Sequence, residues 1–141
     1  MAYLAGLVDG EGTLVIAHRK RICSRAGPRM YPYVRVHVYN TNALLLEWIR
    51  AKFGGRIHFT TRPNKPQYKP SGQWVPSSPV ALLRLIRPYL VAKTRQADIL
   101  LLMDKLMMPP TKGRRLGVPP KVLQQRADLE AELRALNRRG R

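Results

Sequence analysis

The 141-residue sequence contains little of what several protein classes depend on. Its one cysteine, Cys23, excludes an internal disulfide framework and a zinc site built from several thiolates. No apolar run approaches the roughly 18 residues that a membrane span needs. The apolar run at 2–8 is too short for a secretory signal and is followed at once by acids. We therefore expect an intracellular protein without a membrane partner, in a bacterial or phage-host cytoplasm or in an organelle that encodes it.

Acidic residues are scarce, and their positions are more informative than their number. Eight Asp and Glu stand against 26 Lys and Arg, which gives a net charge of +18. Residues 48–97 contain ten of these bases and no acid. Apolar residues make up 45% of the chain, a globular composition. A folded chain with this charge is expected to bind a polyanion, above all nucleic acid.

Two of the rare acids, Asp9 and Glu11, are separated by a single glycine and precede this basic region. Carboxylates at such a place repel phosphate unless a divalent cation is held there, as in nuclease sites. The residues alone leave a second interpretation open, in which Asp9 and Glu11 are turn or cap residues.

Hydrophobic periodicity predicts an α+β fold of one domain, in the order αββαββα with further helices behind it. Alternation favours strands over 13–21, 31–40, 56–62 and 73–77, which we expect to form a four-stranded antiparallel sheet with helices on one face. Helices are expected over 2–9, 42–53, 79–89, 93–107 and 119–137. Residues 1–108 would form the core, and 109–141 a basic linker and helix of the same domain.

The alternation also predicts what the other face of the sheet carries. If the Val, Ile and Leu positions pack against the helices, the opposite face is aromatic and basic and has no acid. A two-stranded ribbon of this kind fits the DNA major groove, where Arg reads guanine. The alternative is a basic face that serves solubility alone. The residues expected to contact DNA are Arg19, Arg21, Tyr31, Tyr33, Arg35, His37, Arg56, His58, Thr60, Arg62 and Gln73.

Residues 4–12 read Leu-Ala-Gly-Leu-Val-Asp-Gly-Glu-Gly and resemble the signature of the LAGLIDADG homing endonucleases at six identical positions. Phe-Gly-Gly-Arg-Ile at 53–57, Trp74, and Pro-Tyr-Leu at 88–90 followed by Lys93 also look like features of this family. The resemblance extends over residues 2–107. It implies the family's saddle-shaped DNA-binding sheet and its nuclease activity.

The resemblance implies roles for particular residues. Glu11 would bind a metal with the Gly10 carbonyl, and oxygen ligands suit Mg²⁺, although Mn²⁺ or Ca²⁺ could take its place. Asn40 would order water near the scissile phosphate, or else cap the following helix. Lys93 would stabilise developing negative charge, or else be a solvated lysine at a helix start. We thus expect Glu11, Asn40 and Lys93 to be catalytic.

The single copy of the motif implies a homodimer, with Ala5, Gly6 and Asp9 at the interface and Asp9 acting there as a structural cap. A two-fold dimer predicts a long, near-palindromic double-stranded DNA target, cut by metal-dependent phosphodiester hydrolysis to give a double-strand break. The alternative function is an intron RNA maturase or a non-cleaving DNA-binding protein of the same fold. Intron RNA could also be a further partner of an active nuclease.

Overall fold

The computed structural model describes residues 1–23, 27–60, 70–107 and 117–139. The elements are α1 (Ala2–Glu11), β1 (Gly12–Cys23), β2 (Gly27–Asn40), α2 (Ala43–Phe53), β3 (Arg56–Thr60), β4 (Ser71–Val75), α3 (Pro79–Ile86), a 3₁₀ turn (Arg87–Tyr89), α4 (Thr94–Leu106) and α5 (Pro120–Arg139). This order confirms the predicted α+β class. Within these ranges, no helix is long and apolar enough to cross a membrane.

The sheet is antiparallel, with the strand order β1-β2-β4-β3. All twelve residues of β1 pair with β2, whereas β2 reaches β4 only through its last residues, 38–40. The β1–β2 ribbon therefore extends well beyond the short strands β3 and β4. Trp74 in β4 lies between Val38 and Ile57, so it joins the two halves of the sheet.

One face of the sheet packs against the helices, as the alternation predicts. Leu14, Val36 and Val38 share this face, and each is buried. They belong to one apolar cluster with residues from α1 to α5, including Val8, Leu46, Leu83, Ile99, Leu100 and Leu133. Side chains of alternate parity point to the opposite face, which we call the open face.

The ends of α2 follow their sequence signals. The Asn42 side chain accepts a hydrogen bond from the Leu45 amide at 3.1 Å, which is an N-cap. Gly54 and Gly55 end the helix with φ angles of 68° and 93°, values that side-chain-bearing residues rarely adopt. The Trp74 indole then donates to the Gly54 carbonyl at 2.8 Å, which ties this helix end to the sheet.

Most element boundaries differ from the expected ones by one to four residues. Helix α1 continues through Glu11, two residues past the expected end, and β2 begins at Gly27 instead of residue 31. Strand β4 spans Ser71–Val75 instead of 73–77. In β4 the pairing of Gly72 with Phe59 overrides the preference of a Pro-Ser-Gly sequence for a loop, because strand propensity depends on context.

Helix α5 packs beside α4 and β1. Leu133 is buried in the common cluster, and the Asn137 side chain donates to the Leu14 carbonyl at 3.1 Å. Arg126 donates to the Leu106 carbonyl at 2.7 Å. The proposed boundary at residue 108 and most of the basic linker lie outside the described residues, so the domain division stays a prediction.

Candidate nucleic-acid interface and active site

The open face collects most of the residues that the sequence predicted for DNA contact. In the β1–β2 register, Arg19 is opposite Tyr31 and Val15 is opposite Arg35. In the other half of the sheet, Gln73 lies opposite His58. The predicted contact residues placed on this face are Arg19, Tyr31, Tyr33, Arg35, His37, Arg56, His58, Thr60 and Gln73. Arg21 has the same strand parity, but its side chain is not described, and Arg62 lies outside the described residues.

The open face carries positive charge that no acid offsets. The four strands contain no Asp or Glu, and all eight acids of the chain lie in helices. The Arg19 guanidinium lies 5.8 Å from the centre of the Tyr33 ring, which is within cation–π distance. This contact holds the cation of Arg19 over the ribbon. The face as a whole suits a polyanion that lies along the sheet.

Two polar side chains near the middle of the open face have buried atoms without partners among the described residues. They are Nδ1 of His37 and Nε2 of Gln73. His37 is only 7% exposed, and burial together with the charge of Arg35 lowers its pKa to about 4. His37 is therefore neutral at physiological pH. It can offer one nitrogen as a donor and the other as an acceptor, but not as a cation.

All but one of the acidic side chains in the helices form a hydrogen bond or an ion pair with a described residue. Asp98 pairs with Arg87, and the hydrogen bonds from Arg87 hold the pKa of Asp98 below its usual value. The acids that bond or pair with described residues are Asp9, Glu47, Asp98, Asp104, Asp128, Glu130 and Glu132. Glu11 is exposed, and it has neither a hydrogen bond nor an ion pair with any residue in the described ranges.

Glu11 is the last residue of α1, at the point where the chain enters the sheet. Gly12 begins β1 and packs so closely on the helix that an added Cβ would lie 2.4 Å from the Val8 carbonyl oxygen. Because Gly12 is also paired with Val38, the Glu11 carboxylate lies at the end of the sheet where β2 leaves for α2. From the sequence we expected the helix to span residues 2–9 and to stop at Gly10. The helix instead continues to Glu11, the candidate metal ligand.

The side chain of Lys93, the residue before α4, reaches the C-terminal end of α1. Its Nζ donates to the carbonyl oxygens of Val8 and Asp9, at 2.9 Å and 2.6 Å. Burial lowers the pKa of Lys93, and the charges of Asp9 and Glu11 partly offset this effect. The Lys93 ammonium is thus within electrostatic reach of Glu11, and two of its three N–H groups are committed to α1.

Asn40 is also at this end of the sheet, but its side chain bonds locally. Its Oδ1 accepts a hydrogen bond from the Asn42 amide at 2.8 Å, in the turn before α2. Asn40 therefore bonds the turn that leads into α2. The N-cap of that helix is Asn42, not Asn40. The structure places Glu11, Lys93 and Asn40 in one region, and within the described residues it shows side-chain hydrogen bonds for Lys93 and Asn40 but none for Glu11.

The donors at the end of α1 fit part of a divalent-cation site. Glu11 offers an unpaired carboxylate, and the Gly10 carbonyl is one residue away on the exposed end of the helix. Hard cations such as Mg²⁺ prefer oxygen ligands of this kind. Among the described residues, no group of three or more His, Cys, Asp or Glu could hold a metal ion.

Helix α1 presents small residues on its exposed side. Gly6 and Gly10 are four residues apart, so they share one helix face, and an added Cβ at either would meet no atom within 4 Å. Beside them, Tyr3 packs against Trp48 of α2 with ring centroids 5.5 Å apart, and Leu44 is 82% exposed. This surface is apolar and allows close approach of another backbone.

Two of the three expected interface residues point into their own chain, and their place in a dimer stays a prediction. Ala5 is 0% exposed in a single chain, because it points into the apolar cluster and not along the Gly6 face. Asp9 also points into its own chain, where its carboxylate accepts the amides of residues 91–93. Only Gly6 of the three expected residues is exposed. The motif sequence alone did not predict which of its residues face the core and which face outward.

The four-stranded antiparallel sheet is backed by helices, and the end of α1 at residues 9–11 lies at its edge. This arrangement matches solved structures of homing endonucleases. The homing endonuclease I-CvuI, in complex with its target in the presence of 2 mM Ca, is 25% identical, with a TM-score of 0.66 over 96% of this chain and 80% of that one. The archaeal intron-encoded homing endonuclease I-Vdi141I, complexed with DNA, is 20% identical, with a TM-score of 0.66 over 95% and 81%.

The LAGLIDADG homing endonuclease I-LtrWI, bound to target DNA, matches with a TM-score of 0.63 and 16% identity, over 91% of this chain and 42% of that one. Neither the family models nor the curated proteins gave a match. The motif at 4–12 and these structural matches together identify the fold. The chain has the fold of the LAGLIDADG homing endonucleases, and its residues 4–12 resemble their signature.

Proposed function

We propose that this protein is a site-specific DNA endonuclease that works as a homodimer. It cleaves both strands of a long, near-palindromic duplex by metal-dependent hydrolysis of one phosphodiester per strand. The shared fold and the DNA complexes of I-CvuI and I-Vdi141I support the class of activity. The metal and the dimer are inferred from the residues of this chain, and a homing role follows only from the resemblance.

The observation that carries the proposal is the isolation of Glu11. Among the acids of the chain, it alone has neither a hydrogen bond nor an ion pair within the described residues, and it lies at the edge of an acid-free basic face. An unpaired carboxylate weakens phosphate binding unless a cation offsets its charge. A divalent ion held by Glu11 and the Gly10 carbonyl would supply a Lewis acid that stabilises charge developing on the scissile phosphate.

The open face supports the DNA-binding part of the proposal. The β1–β2 ribbon offers arginines and tyrosines along its length, and the short strands add Arg56, His58 and Gln73. Arginine binds phosphate and the guanine edge, whereas the amide of Gln73 and the imidazole of His58 are of the type that bonds base edges. The face thus combines residues for backbone contact with residues for base reading.

Two features support the homodimer. I-LtrWI is long enough for this chain to span only 42% of it, so one chain corresponds to less than half of that nuclease. The exposed Gly6–Gly10 face of α1 allows a second copy of α1 to approach closely. A two-fold axis at this helix would bring the two Glu11 residues together and present two open faces to the two half-sites.

A cleavage assay on a library tests the proposal without knowledge of the target. A plasmid library of randomised inverted repeats is incubated with the protein and Mg²⁺, and the cut ends are sequenced. We expect one consensus with paired cuts on the two strands. Glu11→Gln should cut at below about one-hundredth of the wild-type rate, because a Lewis acid is worth several kcal/mol.

The matched control is Glu132→Gln, which removes a carboxylate from the ion pair with Arg95 on the helical side. This variant should cut at the wild-type rate. Undiminished cutting by Glu11→Gln would overturn the proposal. Tight binding of the library duplexes with no nicking in Mg²⁺ would favour the alternative, a maturase or a non-cleaving DNA-binding protein.

A further inference from the structure

Asp9 and Lys93 are 84 residues apart in sequence, and their side chains make five hydrogen bonds to the backbone of each other's segment. The Asp9 carboxylate accepts the amides of Val91, Ala92 and Lys93, at 2.8, 3.2 and 2.9 Å. In return the Lys93 ammonium donates to the carbonyls of Val8 and Asp9. We call this arrangement the Asp9–Lys93 clamp.

The clamp joins the end of α1 to the segment that leads into α4. Lys93 puts a cation at the C-terminal end of α1, where its Nζ donates to the carbonyls of Val8 and Asp9. Asp9 puts an anion against residues 91–93, which precede the first turn of α4, and accepts their three amides. Each side chain therefore bonds backbone groups of the other's segment.

The clamp encloses the position of the candidate ligands. Asp9 is held on one side of the Gly10–Glu11 pair, and on the other side Gly12 packs against Val8 with no room for a side chain. The backbone between these points has little freedom to move. The Gly10 carbonyl receives no hydrogen bond from a described side chain, so it stays available next to the Glu11 carboxylate.

We propose that Asp9 and Lys93 act as one positioning unit that fixes the Gly10 carbonyl and the Glu11 carboxylate for a divalent cation, and that Lys93 is a positioning residue instead of a group that acts on the scissile phosphate. The inference rests on the proposed function for the identity of the site. It assigns to Lys93 a role that differs from the expected catalytic one, because two of its three donors are spent on α1.

The test measures the divalent-ion dependence of DNA affinity and needs no cleavage. A duplex is selected by binding to the wild-type homodimer in Ca²⁺, and its Kd is measured with and without Ca²⁺. Lys93→Met removes the side-chain donor to the carbonyls of Val8 and Asp9, and Asp9→Asn replaces one acceptor oxygen with a donor group. Both variants should lose roughly 10- to 100-fold of the Ca²⁺-dependent gain in affinity, as do other residues that orient metal ligands.

Affinity without Ca²⁺ should stay near the wild-type value in both variants. Lys105→Met is the matched control, since Lys105 is an exposed lysine near the other end of α4, and it should change neither value. Thermal melts show which variants fold. Lys93→Arg keeps the charge and can donate to two carbonyls, so it should recover most of the Ca²⁺ effect and covers the case in which Lys93→Met does not fold.

The pH dependence of cleavage separates positioning from chemistry. If Lys93 positions the ligands, Lys93→Met lowers the rate by a similar factor at every pH and leaves the shape of the profile unchanged. Retained Ca²⁺ dependence with a lower rate and an altered profile would overturn the inference, and so would a wild-type protein whose affinity does not respond to Ca²⁺. A wild-type protein that responds to Ca²⁺ but does not cut defeats the proposed function and leaves the clamp to be judged on the affinities.

Discussion

The imidazole of His37 packs edge-to-face against the ring of Tyr39, with ring centroids 5.0 Å apart and an interplanar angle of 84°. The two side chains project from β2 onto the open face, two residues apart. The contact covers His37 on the face that otherwise holds exposed cations. A histidine at this place is therefore kept neutral by its surroundings, and its pKa falls to about 4.

The first prediction concerns the pH dependence of folding. The pKa of His37 is lower in the folded state than the ordinary histidine value of 6.5, so the unfolded chain takes up the proton first as pH falls. The stability that neutral His37 contributes is complete above pH 6.5 and is lost as pH falls towards 4. Between pH 7.5 and 5.0 the loss should be about 2 kcal/mol of unfolding free energy.

Urea unfolding at the two pH values measures this loss. His37→Phe keeps an aromatic ring against Tyr39 without a titrating group, so its stability should fall by about 2 kcal/mol less than that of the wild type over the same range. His58→Phe, on the same face but exposed, is the control and should follow the wild type. Equal pH dependence in wild type and His37→Phe would contradict the prediction.

The second prediction concerns Gly72, where the sheet meets α2. A Cβ at this position would lie 2.2 Å from Cδ1 of Leu46 and 3.0 Å from the Phe59 ring. Leu46 is fully buried and has little room to move. Gly72→Ala should therefore lower the unfolding free energy by about 1–3 kcal/mol, the usual cost of overpacking. Denaturant titration beside Ser71→Ala, a neighbour on the open face, checks this; equal stability of the two variants would refute it.

The third prediction concerns the exposed face of α1. A leucine at Gly6 meets no atom of its own chain at the Cβ position, so Gly6→Leu should fold. The added side chain would keep two α1 helices apart, and the dimer Kd should rise at least about tenfold. Sedimentation velocity over a range of concentrations measures this effect. Ala131→Leu on the exposed side of α5 is the control, and an unchanged Kd for Gly6→Leu would place the interface elsewhere.

The fourth prediction concerns the salt dependence of DNA binding. Arg56 is exposed on the open face, whereas Arg84 pairs with Asp104 on the helical side. If Arg56 contacts a phosphate, Arg56→Ala should reduce the slope of log Kd against log salt by about 1. Arg84→Ala should leave the slope unchanged. Titrations of one fixed duplex at several salt concentrations give both slopes, and identical slopes for the two variants would remove Arg56 from the interface.

Much of this fold follows from local pattern. Val34, Val36 and Val38 alternate with polar residues, and such alternation decides both that β2 is a strand and which side faces the core. Asn42 and Gly54 mark the ends of α2 for reasons that lie within a few residues. The end of α1 was harder to predict, because the contacts of Gly12 and Lys93 that hold it come from packing.

The candidate site was predictable in part. The motif nominated Glu11, and strand parity nominated the open face. The sequence could not predict that Glu11 forms no ion pair among the described residues. That property depends on which acids pair with the bases of α3, α4 and α5 in the folded chain. Nor could the sequence show that Ala5 faces inward while Gly6 faces outward, since a short apolar helix gives no clear amphipathic signal.

The sequence by itself determined the class of the protein: the motif, the alternating strands, and the charge of +18 with acids kept out of the strands. These properties depend on residue order and local periodicity, so they can be recognised without the tertiary structure. The tertiary structure alone decided which polar groups meet. It joined Asp9 to Lys93 across 84 residues and buried His37 until its pKa fell. Hydrogen bonding and desolvation act through space, and separation along the chain does not predict them.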